Sequence, residues 1–410
     1  MTGELSATAL RDRVAALLDH SQGGFALARC GVESYHEITC SLGPGTGAEL
    51  LSQLARRLSA QLKPGEVWAR YADGTFAVVL PGAGPATVHH RLEDLVRATS
   101  GWASDAYAQV TAGAAGAAEV ACAEDLFTRA DLALAEASRR GPGAVALFEK
   151  HLLTAARARV RLDTDLRRAV EAGRLGVHYQ PVVALRGRRT VGYEALARWL
   201  DPVRGWVSPT EFIPAAERSG LIDDVGMAVL RTALADGRKH GGRQDFWLSV
   251  NVSPLQLDDE AFARRLMAVI NRFGVGPNRL RVEVTETALL ESERARTQLA
   301  EVRRQGVRVL VDDFGTGYSS LASLRRLPVD GIKIARELLH DAEGGPDATV
   351  VRAVQLLAAG AGVTEVIAEG VESAAEAKAL AGLAVPLAQG FHLGRPVPAQ
   401  RAMRRSHTPA

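Results

Sequence analysis

The sequence predicts an α/β protein in two parts, a C-terminal (β/α)8 TIM-like barrel preceded by an α+β domain. Three observations predict it. From Leu175 onward, eight apolar strand candidates recur with helical stretches between most of them. They occupy about 235 residues, close to the roughly 250 of a (β/α)8 barrel. The competing doubly wound sheet would carry a glycine-rich turn after its first strand, and none is present. Residues 1–147 alternate helical and strand patterns and include a hairpin turning at Asp73-Gly74.

Within the first part, apolar residues recur at helical spacing over 10–18, 50–62 and 126–137, the last closed by Gly141-Pro142-Gly143. Residues 25–28 read as a strand, and 67–71 with 76–80 as the hairpin. A charged helical segment at 148–172 follows. It has no glycine or proline between His151 and Val170, which predicts a stiff connection running into a barrel that occupies 160–405.

In the barrel, the strand candidates are 177–180, 191–194, 246–251, 280–284, 307–312, 331–334, 365–368 and a weaker 388–391. Helices are expected at 212–219, 224–240, 259–273, 297–305, 321–326, 348–359 and 374–383. Ser253-Pro254 suits a helix start and Gly306 a helix end.

The strand ends carry the chemistry. In chain order they hold Gln180, Glu194 with Arg198, Asn251, Glu283 with Glu286, Asp312-Asp313, Lys333, Glu369 with Glu372, and Gln389. In a barrel these ends share one mouth. Glu194, Glu283, Asp312, Asp313 and Glu369 would then repel one another unless cations bridge them. Oxygen donors without Cys or His select hard cations such as Mg²⁺ or Mn²⁺. Adjacent aspartates suit two ions about 3.5–4 Å apart, as in phosphoester-cleaving sites. After them, Gly315 and Gly317 permit a tightly turned loop beside a ligand.

Composition excludes other classes. The 49 Lys and Arg against 47 Asp and Glu give a net charge of +2, so no bulk binding of DNA or RNA is expected. No apolar run approaches the roughly 18 residues of a membrane span. The start, Met1-Thr2-Gly3-Glu4, has no signal-peptide pattern. Cys30, Cys40 and Cys122 have neither disulfide nor zinc spacing. A soluble, cytoplasmic protein is expected.

The segments YQP, EALARW, NVSPLQL, VEVTE, DDFGTGYSSL, GIKI, AEGVE and QGFHLGRP, in this order, closely resemble the EAL family of cyclic di-GMP phosphodiesterases. The resemblance covers roughly residues 160–400. It implies hydrolysis of cyclic di-GMP to linear pGpG at a two-metal site. Glu194, Asn251, Glu283 and Asp312 would ligate one metal, and Asp312, Asp313 and Glu369 would serve the second metal and the attacking water. Lys333 would orient or stabilise that water, with Gln389 supporting. Arg198 and Gln180 would contact substrate, and Glu286 would fix the loop from Asp313 to Ser320. A homodimer through the barrel is implied, with regulatory protein partners unknown. One departure stands out: the family's Lys-Ile-Asp reads Lys333-Ile334-Ala335 here. Alternatives are a receptor that binds cyclic di-GMP without hydrolysing it, and a protein-interaction scaffold. Neither would require the full ligand set that is present.

The segment ARYADGTFAVVLPGA resembles the signature hairpin of the GGDEF family of diguanylate cyclases. The resemblance covers about residues 20–148 and implies a nucleotide-cyclase-like fold without the chemistry. Gly31 stands at the first metal-binding Asp, Thr39 and Ala48 at guanine-contacting positions, and Ser138 at a phosphate-contacting Lys. The signature itself reads Ala72-Asp73-Gly74-Thr75-Phe76, and the product-inhibition motif reads Lys63-Pro64-Gly65-Glu66. A catalytically inactive regulatory or dimerisation domain is expected.

Overall fold

The computed structural model describes residues 4–403 apart from 21–23, 72–73, 83, 104–105, 119, 241–245, 316–323 and 340–345. Two compact units divide the chain, residues 1–160 and 161–410, and the helix Lys150–Glu171 contains the division.

Strict alternation builds the second unit. Its strands close a ring in the order Leu175–Ala184, Arg189–Asp201, Trp247–Asn251, Leu280–Thr285, Arg308–Phe314, Gly331–Ile334, Glu365–Ala368 and Leu387–Ala388, the last pairing back to the first. One set of positions, including Val282, Val284, Val309, Val311, Ile332, Ile334 and Val366, packs outward against helix residues such as Leu234, Leu266, Leu299 and Val354. Each such side chain contributes about 1.5–3 kcal/mol on burial. The alternate positions point inward. Val182, Trp247, Leu310 and Ile367 form an apolar layer inside the ring. Arg281 stacks 3.9 Å over the Trp247 ring and grips Glu365 with two bonds of 2.8 and 2.7 Å. With the interior filled in this way, the remaining inward positions, toward the C-terminal ends of the parallel strands, are polar.

The barrel is as expected, with one departure in strand direction. Strands two to eight run parallel, but Leu175–Ala184 is antiparallel to both of its neighbours. Its link to the second strand is only residues 185–188, whereas a parallel crossover needs a dozen or more. Gly187 (φ 85°) and Arg188 (φ 48°) give the left-handed backbone of a tight reversal. Gln180 is therefore not at a strand end: it lies mid-strand, directly opposite Glu194. The second strand is also longer than 191–194. It runs to Asp201 and folds back through Gly205–Val207, so Arg198 sits on it.

Other boundaries shift less. Ser253 opens only the short helix Pro254–Leu257, through a capping box in which its Oγ accepts from Leu255 N (3.3 Å) and Gln256 Oε1 accepts from Ser253 N (3.2 Å). The following helix starts at Phe262. Residues 321–323 of the helix expected at 321–326, and most of the loop from Asp313 to Ser320, fall outside the described residues.

The first unit is a six-stranded sheet in the order Glu4–Leu5, Val67–Arg70, Thr75–Pro81, Phe25–Val32, Val110–Gly116, Val145–Leu147. Alternation again assigns the faces. Ala26, Ala28 and Cys30 pack with Leu50, Leu54, Leu92 and Leu95 from helices Pro44–Gln61 and Pro85–Thr99. Leu27, Ala77 and Val79 pack with Leu10, Val14, Leu126 and Phe127 from helices Ala7–His20 and Ala123–Arg140. The helix Pro85–Thr99 and the strand Val110–Gly116 had no counterpart in the sequence reading.

Candidate active site

Lys333 occupies the centre of the barrel mouth. It is 1 % exposed, carried inward by the strand Gly331–Ile334. Its ammonium lies 2.7 Å from Glu283, 2.7 Å from Glu369, 3.0 Å from Asp312 and 3.4 Å from Glu194. Glu194 also accepts from Asn251 Nδ2 (2.7 Å) and Gln389 Nε2 (2.6 Å). Gln389 in turn donates to Gln180 Oε1 at 3.1 Å, and Gln180 donates to the Gly394 carbonyl at 3.2 Å. Nine of the residues expected at the mouth thus meet there, Asp313 being the ninth.

Asp313 reaches the group through a backbone irregularity. Neighbouring residues of a regular strand face opposite ways. Here Val311 pairs with Ile332 and Phe314 with Ile334, three steps against two. This bulge, with Asp313 at φ 50°, brings single oxygens of Asp312, Asp313 and Glu369 within 4.8 Å of one another. Asp tolerates the left-handed region better than most residues, and such strain gathers at functional positions.

Charge at the mouth is unbalanced. Five carboxylates surround one ammonium, a formal sum of −4. Burial opposes the Lys333 ammonium, but Glu194, Glu283, Glu369 and Asp312 together hold its pKa well above the usual lysine range. Burial and the neighbouring Glu194 push Glu283 well above a normal carboxylate, against the pull of Lys333. Burial takes Glu369 to about 7, and burial with Asp312 raises Asp313. Glu194 alone is lowered: Lys333, Gln389 and Asn251 outweigh its burial. Glu283 Oε1 is buried with no hydrogen-bond partner among the described residues. An orphaned carboxylate oxygen inside an anionic cage fits a hard cation, and two divalent ions would cancel the −4.

The surroundings fix this geometry. Glu286 is 2 % exposed and lies outside the cluster, where its Oε2 accepts from Gly315 N at 2.9 Å. It pins the first residue after the bulged strand. Gly390 allows close passage of two segments of the backbone, since a Cβ there would lie 2.1 Å from the Val371 carbonyl oxygen. A cavity of about 280 Å³ opens over the cluster, lined by Gln180, Glu194, Asp313, Glu369, Gln389 and Phe391 among others. Arg336, paired with Glu372, also lines it. Sequence reasoning missed Arg336, although its position after the Lys333 strand is the same signal that found the others. Arg198 lies farther along its strand, half-buried, with Nη1 donating to the Ala197 carbonyl at 2.8 Å.

Residues 163–396 match the EAL domain family. The chain belongs to that family. Residues 5–143 match the diguanylate cyclase GGDEF domain. The chain is 32 % identical over 391 residues to MucR of Pseudomonas aeruginosa, described as a bifunctional diguanylate cyclase/cyclic di-GMP phosphodiesterase, covering 92 % of this chain and 56 % of MucR. It is 31 % identical over 384 residues to the cyclic di-GMP phosphodiesterase NbdA of the same organism, covering 92 % and 49 %. The solved structure of the PaMucR phosphodiesterase in complex with c-di-GMP matches the EAL part with TM-score 0.55 and 38 % identity, over 59 % of this chain and 99 % of that one. The chain spans about half the length of the curated relatives it matches. No helix among the described residues is long and apolar enough to cross a membrane.

The GGDEF part has polar groups on and beside its strands, and its carboxylates Glu33, Glu66 and Asp131 each accept from donors of the same part. Gly31 and Thr75 are direct partners across neighbouring strands, so neither position supplies a carboxylate. Arg29 donates to Asp131 (2.7 Å) and Thr75 (3.2 Å) and lies 4.4 Å over the Tyr71 ring. Glu33 accepts from Thr111 (2.6 Å) and Ser138 (3.0 Å). Thr39 turns back to the Tyr35 carbonyl at 2.8 Å. Glu66, in the degenerate inhibition motif, is held by Arg91 in two bonds of 2.9 and 2.7 Å. Ala72 and Asp73 lie outside the described residues.

Proposed function

We propose that the EAL barrel hydrolyses cyclic di-GMP to linear pGpG with two bound Mg²⁺ or Mn²⁺ ions. The observation that carries this reading is the group of five carboxylates at the barrel mouth, four of them paired with the buried Lys333, with the buried Glu283 Oε1 unpartnered. Glu194, Asn251, Glu283 and Asp312 would hold one ion, and Asp312, Asp313 and Glu369 the other. When bound, the ions supply Lewis-acid polarisation of the phosphodiester and activation of water. The chain's own groups do the rest. Lys333 stays protonated and offers positive charge where negative charge develops on the reacting phosphate. Gln389 fixes the Glu194 carboxylate, and Gln180 orients Gln389. Arg198 grips a substrate phosphate through charge-assisted hydrogen bonds. Glu286 holds the loop after Asp313 in place through Gly315. A protein that bound cyclic di-GMP without cleaving it would have no need of this ligand set.

The GGDEF part makes no cyclic di-GMP in this reading and acts on the barrel as a regulatory or dimerisation module. Support comes from Gly31 and Thr75, which leave no carboxylate pair to neutralise the phosphates of GTP. Pairing of two chains through the barrel is part of the same reading. The test is incubation of the purified chain with cyclic di-GMP and Mn²⁺, followed by chromatography. Appearance of pGpG is expected. Intact substrate at all metal concentrations would leave the receptor reading in its place.

A further inference from the structure

The strand that carries Glu194 and Arg198 continues beyond them, and its inward face does not end at the arginine. Trp199 and Val207 are partners across the Arg189–Asp201 and Gly205–Val207 hairpin, and both are buried in the outer core with Phe212. Leu200 and Trp206, the next pair along, therefore face the other way. That is the face of Glu194 and Arg198. Trp206 is 62 % exposed there. It is not a loose side chain on a mobile tip. Asp201 Oδ1 accepts from both Val203 N (2.9 Å) and Arg204 N (2.8 Å), which locks the turn, and Arg204 pairs with Glu211 of the next helix.

On the opposite flank of the same strand, His178 is the partner of Leu196, on the same face again. The rings of His178 and Trp206 meet edge to face with centroids 5.6 Å apart, which brings the two flanks together near Arg198. Gly176, the direct partner of Arg198, adds no side chain, so the guanidinium stays uncrowded on that side. The result is a continuous row running outward from the carboxylate cluster: Glu194, then Arg198, then a rigid exposed aromatic wall. Arg198 is four residues, or about 13 Å along the strand, from Glu194. The wall thus lies within reach of the bases of a dinucleotide whose phosphates engage the strand.

We infer that Trp206, braced by His178, stacks against a purine base of the cyclic dinucleotide and sets the barrel's affinity for base-bearing substrates. The inference rests on the proposed phosphodiesterase activity. A π-face suits a flat purine, and a positioned guanidinium beside it suits the adjoining phosphate. Leu200, 52 % exposed next to Trp206, extends the apolar surface.

The test is steady-state hydrolysis of cyclic di-GMP by the full chain, wild type against Trp206→Ala and Trp206→Phe. The exposed position lets both variants fold, which thermal melts check. Trp206→Ala is expected to raise KM about tenfold, the factor for one lost base–aromatic stack, with kcat within about twofold. Trp206→Phe is expected to recover most of the loss. Unchanged KM in Trp206→Ala, or a loss confined to kcat, overturns the stacking role. A wild-type chain that cleaves no cyclic di-GMP would instead overturn the activity on which the inference rests.

Discussion

The barrel mouth and the strand ends of the GGDEF part make an instructive pair. Both place acidic side chains against the strands of their sheets. In the GGDEF part Glu33, Asp131 and Glu66 already hold donors from Thr111, Ser138, Arg29 and Arg91. In the barrel four carboxylates share one ammonium with a fifth, Asp313, beside them, and a buried Glu283 oxygen has no partner. Buried polar groups are normally satisfied, so an unsatisfied anionic set marks a place built for something not made of protein. Carboxylates that already hold their donors mark internal structure. Residue identity alone does not separate the two, because acidic residues occur in both.

If that contrast is correct, the largest effects follow from emptying the barrel site. Excess chelator should abolish cyclic di-GMP hydrolysis, and added Mn²⁺ should restore it. Glu194→Ala removes the carboxylate that Lys333, Asn251 and Gln389 all address. Its loss should lower turnover by more than about 10²-fold, beyond the 10–100-fold of an outer-shell residue. Turnover that survives chelation would end the two-metal account.

Lys333→Ala comes next, with two separate readouts. Turnover should fall by roughly 10²–10³-fold, as for loss of one preorganised charge-stabilising group. Without metal, the variant leaves buried carboxylates uncompensated, a loss of about 3–5 kcal/mol. Mn²⁺ supplies positive charge to the same place, so the melting-temperature gap between variant and wild type should narrow when it is added. An equal gap with chelator and with Mn²⁺ would mean that the ammonium and the ions do not share the cluster.

Much of this site was legible in the sequence because β-structure has a period of two. Once the strands near 280–284, 307–312, 331–334 and 365–368 are assigned, Glu283, Asp312, Lys333 and Glu369 follow as inward positions at one end. Two features resisted that logic. The bulge at Asp312-Asp313 breaks the period, and only the structure explains how adjacent aspartates reach one place. The antiparallel first strand was readable but unread: some ten residues without a helix separate the strands predicted at 177–180 and 191–194, too few for a parallel crossover. Gln180 was therefore picked correctly as a mouth residue but from a mistaken strand direction. Trp206 lay beyond the predicted end of its strand, so no pattern called attention to its face.

Smaller effects sharpen the picture within the barrel. Arg198→Ala leaves the cluster intact and removes one charge-assisted contact of roughly 1.5–3 kcal/mol. It should raise KM by about tenfold or more while metal-supported turnover at saturation changes little. A pure kcat effect would move Arg198 from substrate binding to the reacting centre. Ala335→Asp restores the family residue two positions beyond Lys333. Ala335 is fully buried, so the new carboxyl starts from a position shielded from solvent. A change in rate or in dimer strength of less than about tenfold is expected, checked by kinetics and by sedimentation. No change in either would make the position neutral in this chain.

The smallest expected effect is in the GGDEF part, and it tests the contrast from the other side. The full chain incubated with GTP and Mg²⁺ or Mn²⁺ should form no cyclic di-GMP. Gly31→Asp should not change that. The new Cβ would meet Leu134 at 3.4 Å, a tight but tolerable fit, so the chain should fold. One carboxylate facing Thr75 across the strands, with Arg29 bonded to that threonine, still cannot neutralise a triphosphate, because two-metal phosphoryl transfer needs several oxygen ligands held together. Chromatography of the GTP reaction is the measurement for both proteins. Cyclic di-GMP from the unaltered chain would show that satisfied side chains can rearrange into a working site. The contrast between the two regions would then no longer identify which of them is catalytic.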